Sequence, residues 1–257
     1  MIPTLNRLAH TEVSAFGMPD PANVDGFKAA VRDAVELSAG ERLSLSEDFG
    51  LTMLSAHDQP KYVLHPEEAN LLSPRACTTK RIDCELGRAA AHFALEEIGF
   101  HDPVALLRGE SGEPLWPDGI VGSITHCYPW SVAIAARSSQ CFAVGIDLES
   151  LHRMEGPDIS ELICRRAELD WVHRGHFHQR LLMIFSAKEA LYKALYPVCR
   201  RYIDFMEVEL SWSPEHGCFQ VQLLTSGLTN FPADRPIKVH CRCHDNFFFS
   251  VVIHKRA

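Results

Sequence analysis

The sequence predicts an α+β fold with antiparallel sheet. Three observations carry that expectation. Strand-like stretches cluster apart from helical ones, the links between successive strands are of hairpin length, and the composition is that of an ordinary globular protein. A doubly wound parallel sheet would instead need a long crossover between neighbouring strands. The 257 residues, 46% hydrophobic and 23% charged, suffice for one large domain or two small ones.

Taken in order, the first 65 residues mix apolar, Pro and charged residues without a sustained period, and only short elements are expected there. From Lys80 the apolar positions Ile82, Leu86, Ala90, Phe93 and Ile98 recur at helical spacing and stop at Gly99, a suitable C-terminal cap. Arg81 and Arg88 lie two turns apart on one side of this helix, with Lys80 beside them. Gly109 to Gly122 packs glycines and prolines around Trp116 and reads as a loop. Ser131–Ala136 and Cys141–Ile146 read as strands that can pair as a hairpin across Arg137 to Gln140. Glu161 to Ile184 is amphipathic, and Ser186 to Tyr196 reads as a further helix ended by Pro197. Short strands follow at Val208–Trp212, Cys218–Leu224, Ile237–Cys243 and Phe247–Ile253, with turns at Pro214, Pro232 and Asp245 to Asn246. No internal repeat is legible.

Charge and cysteine usage narrow the function. With 25 Lys and Arg against 33 Asp and Glu, the formal net charge is −8, so the surface as a whole does not attract nucleic acid or anionic membrane. An anionic ligand needs a local basic cluster, which Arg75, Lys80, Arg81 and Arg88 provide, diluted only by Asp83 and Glu85. The longest apolar runs, such as Leu181 to Phe185, fall far short of a membrane span, and the N-terminus shows no export signal. Nine cysteines without a Cys-x-x-Cys pair read as reduced thiols, and the expected location is cytoplasmic.

Several small constellations can carry chemistry. Asp147 and Glu149 follow an apolar strand two residues apart, so in extended backbone both point to one face. Two carboxylates so placed can clamp Mg²⁺ against substrate phosphates, although a strand running out into solvent explains them as well. Ser186-Ala-Lys-Glu189 with Lys193 puts a carboxylate and an ammonium at i and i+4; a capping box with a surface ion pair is the alternative. Gly122-Ser-Ile-Thr-His126 offers small residues, two hydroxyls and an imidazole in a turn able to grip phosphate. His240-Cys-Arg-Cys-His244 is too tightly spaced for common zinc sites, and strand alternation accounts for it. No Gly-x-Ser-x-Gly elbow is present, which disfavours a covalent hydrolase.

Gly112-Glu-Pro-Leu-Trp-Pro-Asp-Gly-Ile-Val-Gly-Ser-Ile-Thr-His126, then Val144-Gly-Ile-Asp-Leu-Glu149, then Phe185-Ser-Ala-Lys-Glu-Ala-Leu-Tyr-Lys-Ala194 together resemble the 4′-phosphopantetheinyl transferases. Within them the match is to the single-chain enterobactin-synthase type of the Sfp-like group. It spans roughly Lys80 to Leu210. Such enzymes move the phosphopantetheine arm of coenzyme A onto a serine of an apo acyl, peptidyl or aryl carrier protein, release adenosine 3′,5′-bisphosphate and require Mg²⁺.

The resemblance implies metal ligands Asp147, Glu149 and Glu189, with Glu189 also the base for the serine, and Lys193 on the pyrophosphate. It implies coenzyme A contacts at Lys80, Arg81, Arg88, Thr125, His126, Lys188 and Lys193. Lys80 stands where the family often has Arg, and Phe185 replaces a frequent Trp. The implied fold is a pseudo-dimer of two similar α+β halves, residues 1–139 and 140–257 with the boundary near Ser139, in a chain expected to be monomeric. The competing readings are a Mg²⁺-dependent nucleotide pyrophosphate hydrolase and a non-catalytic coenzyme A binding module. No nucleic acid or membrane partner is expected.

Overall fold

The structure, a computed structural model, describes residues 24–39, 48–57, 62–72, 75–151, 158–225, 231, 236–244 and 246–256. The turns expected at Pro232 and Asp245 lie outside these residues. The fold is α+β, with two antiparallel sheets each covered by a long helix. The smaller sheet holds β1 (Phe49–Ser55), β2 (Ile120–Cys127) and β3 (Trp130–Arg137) in the order β1-β3-β2. The larger holds β4 (Cys141–Ser150), β5 (Val208–Ser213), β6 (Cys218–Leu223), β7 (Lys238–His244) and β8 (Phe247–Lys255) in the order β4-β8-β7-β6-β5. Among the described residues no helix is long and apolar enough to cross a membrane, and no disulfide forms.

Two elements lie in the stretch that periodicity left unread. Helix α1 (Val24–Ala39) buries Phe27, Val31, Ala34 and Val35, one helical stripe, and Phe27 packs its ring on Trp130 and Phe247. It thereby spans residues from both sheets, adding apolar area beneath each. Strand β1 then pairs antiparallel with β3 from Phe49↔Ala136 to Ser55↔Trp130. A short helix α2 (Pro66–Ala69) leads to α3 (Thr78–Glu97), the basic helix expected from Lys80 onward, and Gly99 beyond its end takes φ +72° as the cap requires.

Each sheet receives its helix through a glycine. A Cβ on Gly50 of β1 would lie 1.8 Å from the Ala94 carbonyl oxygen of α3, and one on Gly145 of β4 would lie 2.0 Å from the Ala190 carbonyl oxygen. Ala190 belongs to α6 (Phe177–Cys199), which follows two short helices, α4 (Ser160–Ile163) and α5 (Arg166–His173). Small residues on both surfaces let helix and strand backbones approach this closely. Both halves therefore run strand, glycine-seated helix, hairpin: β1, α3, β2–β3 and then β4, α6, β5–β6.

Three expectations are corrected. β3 and β4 do not form a hairpin: β3 pairs with β1 and β2, whereas β4 pairs with β8, Ile146 opposite Val251. The chain between Arg137 and Cys141 passes from one sheet to the other. Gly122 to His126 is not a turn but lies within β2. Glu161 to Tyr196 does not divide at Ser186, and Pro197 does not end the helix. Helix α6 is continuous to Cys199 and stops at Arg200, whose φ of 51° is left-handed. Proline near the end removes only one of the last amide donors, which the terminal turn tolerates better than a helix interior does.

Candidate active site

Strand β4 is one edge of the large sheet, and β2 is one edge of the small one. The two edges meet through side chains. The Ile146 amide donates to Ser123 Oγ at 3.1 Å, and the Leu148 amide donates to Thr125 Oγ1 at 3.0 Å. Between these amides sits Asp147, only 4% exposed, and its alternation partner Glu149 is buried at 8%. Thr125 donates to Asp147 Oδ1 at 3.3 Å, and Lys193 of α6 reaches the same oxygen at 2.8 Å. Asp147 Oδ2 is buried without a hydrogen-bond partner.

One turn before Lys193 on α6, the Glu189 carboxyl is pushed up to about 7, first by burial and then by the negative charge of Asp147, with Lys193 pulling the other way. The Glu189–Lys193 surface pair expected at i, i+4 is thus not what Lys193 makes. Nor is the capping box formed: Ser186 lies inside α6, fully buried, and donates to Ser250 Oγ of β8 at 2.9 Å. The Tyr192 hydroxyl, which sequence reasoning did not single out, is buried without a partner in the field of Glu189, and burial foremost raises its pKa.

The basic helix joins this centre by a chain of contacts. His126 of β2 stands 3.7 Å from Asp83 of α3, so the start of α3 faces the end of β2 beyond Thr125. Lys80 is exposed on that first turn, and Arg81 Nε donates to the Ala76 carbonyl at 3.2 Å. Arg88 is 7% exposed; its Nε has no partner, and Nη2 only grazes the Leu107 carbonyl at 3.5 Å. Burial pulls its pKa below the ordinary arginine value. A buried guanidinium with spare donors can receive an anion.

Lys188 is corrected. Expected at coenzyme A, it has no exposed side chain. Its ammonium donates to Glu168 at 2.8 Å and to the carbonyls of Ile163, Phe205 and Val208 at 2.8, 2.8 and 3.1 Å. Glu168 also accepts from the Leu210 and Arg165 amides. Every donor of Lys188 is spent inside the C-terminal core, where the pair ties α6 to α4, α5 and β5.

Elsewhere the loop before β2 closes on the end of α6: Tyr196 donates to Ser111 Oγ at 2.6 Å and Arg200 stands 3.5 Å from Glu113. A cavity of about 160 Å³ lies there, lined by Trp116, Gly122, Val144, Ala194 and Pro197 among others. His240 to His244 lies in β7, where His240 and Cys241 are buried and Cys243 is exposed. Among the described residues no three His, Cys, Asp or Glu side chains close on one point as a ready metal cage. A cation that takes one or two carboxylates and completes its shell from phosphate and water needs no such cage, and Asp147, with an orphaned buried oxygen and a second carboxylate in its field, fits it.

Comparison with known proteins gives this arrangement its place. Residues 67–136 match the 4′-phosphopantetheinyl transferase N-terminal domain, and residues 143–239 match the 4′-phosphopantetheinyl transferase superfamily. The chain belongs to the 4′-phosphopantetheinyl transferase family. It is 36% identical over 178 residues to 4′-phosphopantetheinyl transferase Svp of Streptomyces mobaraensis, covering 67% of this chain and 70% of that one. To 4′-phosphopantetheinyl transferase PptT of Mycobacterium tuberculosis it is 33% identical over 178 residues, covering 67% and 77%. Enterobactin synthase component D of Salmonella typhimurium is 31% identical over 159 residues, with 61% and 63% covered. As a phosphopantetheinyl transferase, the chain carries the Asp147–Lys193 contact and Glu189 in the part matched to the superfamily, and the basic helix in the part matched to the N-terminal domain.

Proposed function

We infer that this chain transfers the phosphopantetheine arm of coenzyme A to a serine of an apo carrier protein, releasing adenosine 3′,5′-bisphosphate, and that the β4–α6 face does the chemistry. The observation that carries the residue assignment is the Asp147–Lys193 contact of 2.8 Å, with Asp147 Oδ2 left over and Glu189 poised near neutrality beside it. The serine oxygen bonds to the phosphorus that bears the pantetheine, the bond from that phosphorus to the bridging oxygen breaks, and the serine proton passes to Glu189. A carboxylate raised toward the working pH is a better proton acceptor than an ordinary one. Lys193 neutralises charge on the pyrophosphate, and Arg88 with Lys80 and Arg81 receives the remaining phosphate; His126 stands at the rim between them. Asp147, joined by Glu149 or Glu189 as a second carboxylate, would hold Mg²⁺, which when bound would supply a fixed positive charge against the phosphoryl oxygens.

The strand, helix, hairpin order seen on both sides of residues 138–140 supports two similar halves meeting near Ser139, with the substrate cleft between β2 and β4. The test is intact mass of an apo carrier protein incubated with coenzyme A, Mg²⁺ and the protein. The carrier should gain one phosphopantetheine; Asp147→Ala should slow the gain by about 10²-fold or more, and EDTA should stop it. Coenzyme A cleavage with the carrier unmodified would replace this reading with a pyrophosphate hydrolase.

A further inference from the structure

The hydroxyls of Ser123 and Thr125 do work that the sequence did not assign to them. In β2 they are two residues apart, on one face, and both are buried, at 3% and 2% exposure. Each accepts a main-chain amide of β4, Ile146 at 3.1 Å and Leu148 at 3.0 Å, the two amides that flank Asp147. Side-chain oxygens thus take the place of the missing ladder between two sheet edges. An edge amide left buried without an acceptor would cost about 1–3 kcal/mol, so the pair fixes the spacing of β4 from β2.

Thr125 has a second bond. A hydroxyl has one proton and two lone pairs. With Leu148 donating to it, Thr125 spends its one proton on Asp147 Oδ1 at 3.3 Å, the oxygen that Lys193 also holds at 2.8 Å. Oδ1 is therefore gripped from both sides, by β2 and by α6, and the carboxylate plane is set with Oδ2 as its only uncommitted atom. In this arrangement the Thr125 proton is directed at Asp147.

We propose that Thr125 is a positioning residue: bridging the Leu148 amide and Asp147 Oδ1, it orients Asp147 so that Oδ2 faces the divalent cation, while Ser123 holds the neighbouring stretch of β4 in register. The proposal rests on the reading of Asp147 as a cation ligand. Groups that orient a ligating carboxylate typically matter by about 10- to 100-fold in metal affinity.

The test replaces Thr125 by valine, which keeps the shape and removes the hydroxyl, and by serine, which restores it. Two quantities are read: Mn²⁺ binding to the protein by titration calorimetry, without turnover, and the Mg²⁺ concentration giving half-maximal transfer. Thr125→Val should weaken both by about 10-fold or more while leaving the KM for the carrier protein unchanged, and Thr125→Ser should recover most of the loss. Ser123→Ala should lower thermal stability with a smaller effect on Mn²⁺. Wild-type Mn²⁺ affinity in Thr125→Val, beside an Asp147→Ala variant that has lost it, overturns the positioning role alone. A Thr125→Val variant that weakens only coenzyme A, equally at all Mg²⁺ concentrations, also overturns it and makes the hydroxyl a phosphate contact. Mn²⁺ affinity and transfer both at wild-type level in Asp147→Ala overturn the cation reading itself and this proposal with it.

Discussion

Replacing Glu189 by glutamine should flatten the dependence of the ligand-free protein's stability on pH. Burial, reinforced by the charge of Asp147, raises the Glu189 carboxyl from 4.5 to about 7 in spite of Lys193. The folded protein therefore holds this proton more tightly than the unfolded chain does. Below the unfolded value both states carry the proton and the contribution to stability is whole. As pH rises through about 7 the folded state must also give it up, and that contribution is lost. At roughly 1.4 kcal/mol for each pH unit, the interval from 4.5 to about 7 corresponds to a loss of about 3 kcal/mol. Glutamine is neutral throughout and fills the same space. Urea unfolding of both proteins in EDTA, in steps from about pH 4.5 to about pH 8, reads the residue together with its coupling to Asp147 and Lys193, because titrating groups remote from Glu189 cancel in the difference. Wild type should lose about 3 kcal/mol relative to Glu189→Gln across that range. Asp147→Asn in the wild-type background should shrink the loss, since it removes the second cause. A flat difference, or wild type gaining on the variant as pH rises, would mean that Glu189 is ionised in the fold at low pH. Burial and the charge of Asp147 would then not outweigh Lys193 at Glu189.

Other expectations follow from the same geometry. Arg88→Ala should weaken coenzyme A by about 10- to 100-fold, the scale of a hydrogen bond to a charged group. It should weaken 3′-dephospho-coenzyme A far less, because only the former carries the phosphate assigned to this guanidinium; calorimetry with both ligands compares them. Lys188→Met should destabilise by about 3–5 kcal/mol in chemical denaturation, since it strands the Glu168 charge in the core. The double variant Lys188→Met, Glu168→Leu should recover much of that loss, which a Lys188 acting on coenzyme A would not do.

Part of the site was legible because its spacing is local. Asp147 and Glu149 share a face through the two-residue repeat of a strand, and Glu189 and Lys193 lie one turn apart through the repeat of a helix; both periods can be counted along the chain. The basic stripe on α3 and the four C-terminal strands were readable on the same ground. Helix α1 was not read, although Phe27, Val31, Ala34 and Val35 carry its stripe, because the short amphipathic stretch sits among residues with no period. The signal for Thr125 was also present in the alternation Ser123-Ile-Thr125, but only a strand assignment would have put both hydroxyls on one side.

What the sequence determined by itself is therefore the set of local periods and the order of the motifs, since helical and strand repeats depend on neighbours within a few residues. The tertiary structure decided what those residues face. β3 and β4 are separated by a link that local rules read as a hairpin, yet β4 pairs with β8, Ile146 against Val251, and turns its other edge to the side chains of β2. Ser186 has the spacing of a cap and is instead held within α6 by Ser250. Lys188 and Lys193 are both lysines of one motif, five residues apart on one helix. One is spent on Glu168 and three carbonyls in the core and the other meets Asp147 of β4. The role of a charge is set by the dielectric and the partners around it, and both are brought there by residues far away in the chain.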